Sequence, residues 1–260
     1  MRGPTRIGSI NPCDEASQTA ASESAEHGYA TATFSGVIQD GGAGHAINIV
    51  KTGSGTQTFS GANTYAGTTA VNAGTLFANN STGSATGTGA VTVTGSGTIL
   101  GGTGFIGGTV DVKTGAILEG GTGSTGQTLT LSNNLTLESG SIVELALGPG
   151  LTHSTLARTA GNWSFASTQK FTFILNPGTT TGFYNNIITG LASDPGSEGS
   201  WTITNAGFIA TFSYDGGAGP GNIDLTVTAV PEPSTWVAGG LALAAVLYTQ
   251  RRRFTRRGIA

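Results

Sequence analysis

The sequence predicts an all-β protein: a right-handed parallel β-helix with a β-rich C-terminal cap and a single C-terminal transmembrane helix. Three observations predict this class. Glycine occupies 44 of 260 positions while charged residues make up only 10%, which is typical of many tight turns between short strands. A motif marked by glycine recurs about every 20 residues, which indicates a solenoid. An apolar run near the C-terminus lies between a proline-rich motif and an arginine cluster.

The charge and the cysteine count exclude several classes of function. Five of the 11 lysines and arginines lie within the last ten residues, which leaves 6 basic against 14 acidic side chains in the rest of the chain. No basic surface is then available to neutralise a nucleic-acid backbone, so nucleic acid is not an expected partner. One cysteine, Cys13, cannot form an intrachain disulfide. Together with three scattered histidines it does not make a zinc site, and no cofactor or metal is expected.

The repeat region is predicted to span residues 31–150. Its unit is an apolar residue, two polar residues and a glycine, and in most copies a short apolar run follows. The marker glycines of five copies are Gly53, Gly74, Gly97, Gly115 and Gly140. Their spacings of 21, 23, 18 and 25 residues are uneven, which a solenoid tolerates because insertions fall in its turns.

The strands of these units are predicted from a period of two in hydrophobicity. The alternation is clearest at residues 91–93, 110–112, 129–131 and 135–137, and a period of two places the apolar side chains on one face of a strand. No segment of the repeat region has the length and period of a helix. Stacked coils of short strands with glycine at the corners would bury one column of Val, Leu and Ile. An antiparallel sandwich of hairpins is the alternative.

Residues 151–229 differ in composition and are predicted to form the cap. Five strand-like runs occur at 170–175, 184–189, 201–204, 208–214 and 223–228. Ten aromatic residues are concentrated in this region. Bulky residues suit a unit that covers the open end of a solenoid, where strand edges and the apolar column need protection. A carbohydrate-stacking platform is the alternative interpretation of the aromatic residues.

The tail, residues 230–257, is predicted to be a sorting signal. Its processing motif reads Val230, Pro231, Glu232, Pro233, Ser234, and its membrane stop is formed by Arg251, Arg252 and Arg253. The apolar run between them, 236–248, would extend about 20 Å as a helix, against about 30 Å for the hydrocarbon core. A buried core helix is therefore the alternative to a membrane span. The arginines indicate a cytoplasmic end, with residues 1–230 on the outer side.

Two stretches resemble known families. Residues 55–76 resemble the autotransporter-associated β-strand repeat and read G-T-Q-T-F-S-G-A-N-T-Y-A-G-T-T-A-V-N-A-G-T-L. The tail resembles the PEP-CTERM sorting signal, because the V-P-E-P-[ST] motif, the apolar helix and the arginine cluster occur in that order. The resemblances imply a secreted surface β-helix that an exosortase, a membrane-embedded transpeptidase-like enzyme, recognises and cuts at the motif.

Four acidic residues of the repeat region are candidates for catalysis: Asp111, Glu119, Glu138 and Glu144. Glycosidases need paired carboxyl groups, which a β-helix can place on adjacent coils. Glu119 and Glu144 each follow a marker glycine by four residues, so they are predicted to stack. No lysine or arginine recurs in register beside them, and stacked polar side chains are ordinary in solenoids. We therefore predict that the protein is not an enzyme.

Two further motifs are interpreted as turns. The glycines 102, 104 and 107 match the pattern G-x-G-x-x-G, but a β run follows at once where a dinucleotide site requires a helix. The segment 215–224 is similar to a calcium-binding nonapeptide, but Gly221 stands where that pattern requires an aspartate ligand. Neither motif is expected to bind a ligand.

The sequence predicts a non-enzymatic structural solenoid that is first anchored in the inner membrane and then located at the cell surface or outside the cell. Polysaccharide and an exosortase-type enzyme are the expected partners. A carbohydrate-active β-helix (polysaccharide lyase or glycosidase) and an adhesin passenger fragment are the alternatives. Residues 1–30 are predicted to be polar and disordered, without the apolar segment of a signal peptide. Either the chain starts downstream of its true start, or the interpretation of the tail is wrong.

Overall fold

The fold is almost entirely β-structure in the parts that the computed structural model describes, residues 31–42, 44–217 and 219–230. Two short 3-10 helices, Pro149–Leu151 and Glu198–Ser200, complete these parts. The strands are β1 (Thr31–Phe34), β2 (Ile49–Lys51), β3 (Thr56–Phe59), β4 (Thr69–Val71), β5 (Thr75–Ala78), β6 (Val91–Val93), β7 (Ile99–Gly102), β8 (Phe105–Ile106), β9 (Val110–Val112), β10 (Ile117–Gly120), β11 (Thr128–Leu131), β12 (Leu135–Leu137), β13 (Ile142–Leu147), β14 (Thr155–Arg158), β15 (Trp163–Ser164), β16 (Lys170–Leu175), β17 (Gly182–Leu191), β18 (Thr202–Ile203), β19 (Phe208–Tyr214) and β20 (Gly221–Ala229).

The strands form three sheets. Sheet I has the order β1-β3-β5-β7-β10-β13-β16-β18, sheet II the order β2-β4-β6-β9-β12-β15, and sheet III the order β8-β11-β14-β17-β20-β19. From β6 to β17 the chain visits sheets II, I and III in turn, and the paired strands up to β17 are parallel. This is the architecture of a parallel β-solenoid, as predicted, and not of an antiparallel sandwich. Its right-handed sense stays a prediction.

The interior of the solenoid is a set of aligned apolar columns. One column in sheet I places Leu76, Leu100, Leu118, Val143 and Phe171 in register on successive strands, each fully buried. Sheet II contributes a second column of valines and leucine from β4, β6, β9 and β12. The period-two segments of the sequence therefore coincide with strands, and their apolar positions point inward.

The corners of the coils are formed by the marker glycines. All five have positive φ angles, between 67° and 83°, a conformation that a side chain disfavours. Gly97 donates its N–H to the carbonyl of Gly115, and Gly115 donates to that of Gly140, both at 2.9 Å. The glycines therefore link one corner to the next, which confirms the alignment of the repeats.

Aromatic side chains fill the C-terminal end of the core. Parallel pairing continues to β17 in sheet III and to β18 in sheet I, and β20 and β19 add antiparallel strands to sheet III. Phe171 stacks on Trp201 with ring centroids 5.2 Å apart and lies 4.4 Å from Phe212. Packing in the core is thus the main role of this cluster. The domain limits assigned from composition stay predictions.

Two predicted segments lie outside the described residues. They are the polar N-terminal segment, 1–30, and the tail beyond Val230, which contains the apolar run and the arginines. Among the residues that the structure does describe, no helix has the length and hydropathy needed to cross a membrane.

Candidate functional site

The two predicted partner carboxylates, Glu119 and Glu144, lie side by side. Strand β10 pairs with β13 so that these two residues are direct partners in the parallel register. Their neighbours Leu118 and Val143 are buried inside the solenoid, so the glutamates point away from it, since side chains alternate along a strand. Neighbouring strands are about 4.8 Å apart. The spacing after the marker glycines therefore predicted this pair correctly.

Glu119 is buried although it lies on the outer face of sheet I. Only 3% of it is exposed, because Gly101 on β7 leaves room for it and residues 121–123, the cover segment, lie close to it. A side-chain carbon placed on Gly101 would lie 3.2 Å from Glu119 Oε2. The carbonyl of Gly121 accepts a hydrogen bond from Gly102 N–H at 2.7 Å. This cover was not predicted from the sequence, where the glycine-rich run itself is its visible signal.

The environment raises the proton affinity of both carboxyl groups. The pKa of Glu119 is raised to about 7: burial is the main cause, the neighbouring Glu144 adds to it, and a hydrogen bond from the Gly123 backbone partly offsets it. Burial also raises the pKa of Glu144. On the two flanking strands of sheet I, β7 and β16, the residues next to this pair are Gly101 and Thr172, which carry no charge. The two salt bridges of the described residues both belong to Lys113, so no cation offsets this pair there.

The other two acidic candidates form an ionic clamp between coils. Lys113 Nζ lies 2.6 Å from Asp111 Oδ2 and 2.7 Å from Glu138 Oε1. These hydrogen bonds raise the pKa of Lys113. All three side chains are more than a third exposed, so solvent screens the attraction and the pairs add little to stability. Asp111 and Glu138 are thus engaged in a surface contact rather than paired as acid and base.

Asn63 connects three successive coils. Its Oδ1 accepts the N–H of Ile38 at 2.7 Å, and its Nδ2 donates to the carbonyl of Ala85 at 2.5 Å. The residue is 3% exposed, and it satisfies one buried and one half-buried backbone group. The nearby Tyr65 is fully buried, and its hydroxyl lies 2.6 Å from Thr69 Oγ1. The pKa of Tyr65 is raised to about 12, because the effect of burial exceeds the opposing effect of that hydrogen bond. The Asn-Thr-Tyr stretch of the repeat therefore fixes the stacking of coils.

Replacing Asn63 with alanine is expected to reduce the free energy of unfolding by about 2 kcal/mol, because one buried and one half-buried backbone group lose their partners. Urea denaturation followed by circular dichroism measures this loss. Asn72 is the matched control, since its Oδ1 accepts only one exposed hydrogen bond, from Thr94 Oγ1. Equal losses for Asn63→Ala and Asn72→Ala would contradict a special role of Asn63.

A column of glycines allows the coils to stack closely at the corner where the chain enters sheet II. A side-chain carbon on Gly67 would lie 2.1 Å from the carbonyl oxygen of Ile47, one on Gly89 would lie 1.9 Å from that of Gly67, and one on Gly108 would lie 1.8 Å from that of Gly89. Real side-chain carbons do not approach a backbone oxygen so closely. These glycines are therefore required for the contact between coils.

The two motifs interpreted as turns are turns. Gly102 ends β7, and strands β8 and β9 follow instead of a helix. Asp215 lies between β19 and β20, where its Oδ1 accepts the N–H of Asn222 at 2.5 Å. Within the described residues, no group of three potential metal ligands comes together, His45 and His153 included. Cys13 and His27 lie outside those residues.

The predicted processing motif begins where the last strand of sheet III ends. Val230 follows directly on β20 and donates its N–H to the carbonyl of Gly207 at 2.9 Å. Its side chain is exposed. The remaining motif residues (Pro231, Glu232, Pro233 and Ser234) and the membrane stop lie outside the described residues. The tail as a sorting signal stays a prediction.

Comparison with known families identifies the repeat. Residues 49–76 match the model of the passenger-associated transport repeat. They run from β2 to β5 and contain Asn63, Tyr65 and the close-contact Gly67. The match confirms an autotransporter-associated repeat in this part of the chain and indicates an exported protein of the cell surface. No curated protein matches the chain.

Proposed function

We propose that this chain is a non-enzymatic structural solenoid of the bacterial cell surface that associates with exopolysaccharide or biofilm matrix. The observation that carries this proposal is the unbroken stack of parallel coils, in which aligned columns hold the interior and short polar turns face outward. Such a stack is stiff because every coil contacts its neighbours along three sides. Its outer threonine, serine and asparagine side chains offer hydroxyl and amide groups to hydrated polymers.

The tail gives the proposed route to the surface. A precursor held in the inner membrane by residues 236–248 would present the motif at Glu232 to an exosortase-type enzyme. The hydrogen bond of Val230 at the end of β20 supports this arrangement of solenoid, motif and membrane segment, because the motif follows the last strand without a long linker. Cleavage would release the solenoid from its membrane helix.

An epitope tag fused after Ala260 tests this processing step. We expect the surface-exposed protein to react with an antibody raised against the solenoid but not with an antibody against the tag. Replacing Glu232 and Pro233 with alanine should keep the tag on the protein, and replacing Glu198, in the cap, should not. A tag retained on the unchanged protein, in cells with active exosortase, would show that the tail is not a processed signal.

The carbohydrate-active enzyme remains the second candidate, on the strength of the Glu119–Glu144 register. Burial argues against it, since a general acid must reach its substrate and Glu119 lies beneath the cover segment. Incubation of the protein with purified matrix glycans tests this alternative. Cleavage that disappears in a Glu144→Gln variant would favour the enzyme, and intact glycans would favour the structural role.

A further inference from the structure

The loop between β17 and the second 3-10 helix contains an aspartate–proline peptide bond. Asp194–Pro195 is the one bond of this type in the sequence. Residues 192–194 and Gly196 are exposed, so water and acid reach the bond from solvent. A bond to proline is a tertiary amide, whose nitrogen is more basic and leaves more easily than that of an ordinary peptide bond. The bond is thus both accessible and chemically weak.

The carboxyl group of Asp194 is held beside this bond. Its Oδ1 accepts the N–H of Gly196 at 2.7 Å, so the hydrogen bond spans Pro195, while Oδ2 makes no hydrogen bond to the described residues. Attack by Oδ2 on the backbone carbonyl carbon of Asp194 closes a five-membered ring. A nucleophile that is already in place favours such an intramolecular reaction strongly, because no encounter has to precede it.

We propose that the chain cleaves itself at Asp194–Pro195 in mildly acidic solution and persists as two associated fragments, 1–194 and 195–260. Oδ2 forms a bond to the carbonyl carbon of Asp194, the bond from this carbon to the Pro195 nitrogen breaks, and the nitrogen takes a proton from solvent. Asp194 is left as a cyclic anhydride. One water molecule opens the anhydride, so that Asp194 regains its side-chain carboxyl group and carries a new α-carboxyl group. The sum is the hydrolysis of one peptide bond.

Mild acid speeds this reaction because the leaving nitrogen needs a proton, and protons become scarce as the pH rises. The charged and titratable groups on the elements around the loop are Arg158, Glu198, Tyr214, Asp215 and Asp224. Arg158 Nη1 donates to the carbonyl of Gly190 at 2.6 Å and so holds the start of the loop. Burial, together with the negative charges of Asp194 and Asp215, raises the pKa of Tyr214, so Tyr214 stays neutral in mild acid. Of the carboxyl groups in this set, Asp194 alone precedes a proline.

The two fragments stay together because the cut lies between paired strands. On the C-terminal side of the cut, β18 pairs with β16 and β20 pairs with β17. Trp201 and Phe212 belong to the buried core, where both rings pack on Phe171. Cleavage therefore removes the covalent link between the parallel coils and the strands that lead to the tail, and leaves their packing in place. This inference goes beyond the structural role proposed above and does not depend on the association with matrix.

The test is incubation of the purified full-length chain in detergent at pH 7 and at the lowest pH, down to about 4.5, at which circular dichroism shows a folded protein. Intact mass spectrometry should detect products that end at Asp194 and begin at Pro195, with at least about tenfold less of them at pH 7. Asp194→Ala, which removes the nucleophile, should give neither product. Asp215→Ala is the matched control, because Asp215 is also an exposed loop aspartate that accepts a backbone N–H but precedes a glycine. This variant should be cleaved like the wild type.

A synthetic peptide of residues 190–200 measures what the folded loop adds, and the folded chain should be cleaved about tenfold faster than the peptide. Three results would overturn the proposal: no cleavage of the folded chain in acid, equal cleavage of the wild type and Asp194→Ala, and equal rates for the folded chain and the peptide. The second result would indicate a contaminating protease, and the third an Asp–Pro bond that the fold does not activate. Size-exclusion chromatography tests the association, since separation of the two fragments without denaturant would contradict it and co-elution would support it.

Discussion

Replacing Gly89 with alanine is expected to destabilise the solenoid by about 3 kcal/mol or more, the upper part of the range for overpacked sites. The new methyl group would lie 1.9 Å from the Gly67 carbonyl oxygen and 2.7 Å from that of Ala66. Both obstacles are backbone atoms, so no side chain can move aside. The coil that contains Gly89 must shift, and the contact of Gly89 with Gly108 on the other side shifts with it.

Urea denaturation of Gly89→Ala and Gly199→Ala measures this effect. Gly199 is the matched control because a side-chain carbon placed there meets nothing within 4 Å, and a surface change of this kind stays within about 0.5 kcal/mol. A domain is stable by only about 5–15 kcal/mol, so the loss in Gly89→Ala should move the midpoint clearly. A midpoint equal to that of Gly199→Ala would mean that the coils can separate at this corner without cost.

Replacing Glu119 with glutamine is expected to stabilise the protein at pH 8 by about 2–3 kcal/mol, as the shift of its pKa from 4.5 to about 7 implies. The folded state holds the Glu119 proton more tightly than the unfolded state does. Stability of the wild type is therefore greatest below pH 4.5 with respect to this group, and it decreases as the pH rises through about 7. Burial also raises the pKa of Glu144, which adds a change of the same sign.

Stability measured from pH 5 to pH 8 tests this expectation. Glutamine keeps the size of the side chain and cannot ionise, so the pH dependence of the variant should be flatter than that of the wild type. Glu138→Gln is the control, since Glu138 is exposed and paired with Lys113, and its loss should weaken the protein slightly. If Glu119→Gln were less stable than the wild type at pH 8, the prediction would be wrong. The negative charge of Glu119 would then stabilise the cover segment.

Most of the solenoid fold can be predicted from the sequence because the patterns that specify it lie within a few neighbouring residues. The period of two at residues 91–93 and 110–112 predicts which side chains point inward, and the structure places them in strands β6 and β9. The marker glycines predict the corners because their positive φ angles disfavour any side chain. Glu119 and Glu144 could be paired in advance because each lies at the same distance from such a corner.

The candidate sites are harder to predict from the sequence. Burial of a side chain on the outer face of a solenoid depends on other segments of the chain that fold over it. Nothing in the spacing of Glu119 shows that residues 121–123 lie close to it, or that its carboxyl group is buried enough to raise its pKa. The aromatic residues of the cap are visible in the sequence, but not which of them remain half-exposed.

The sequence by itself determined the repeat, the inward columns and the corner glycines of this protein. In every coil the same alternation of apolar and polar residues recurs beside a glycine, so each coil adopts the same local structure. Only the tertiary structure decided which outer side chains are covered and where the stack ends. The clearest example is Gly89, an ordinary glycine in the sequence, whose importance comes from the carbonyl of Gly67 in the preceding coil. Such contacts join residues about 20 positions apart, one coil of the repeat, and the distance between them is set by packing rather than by local preference.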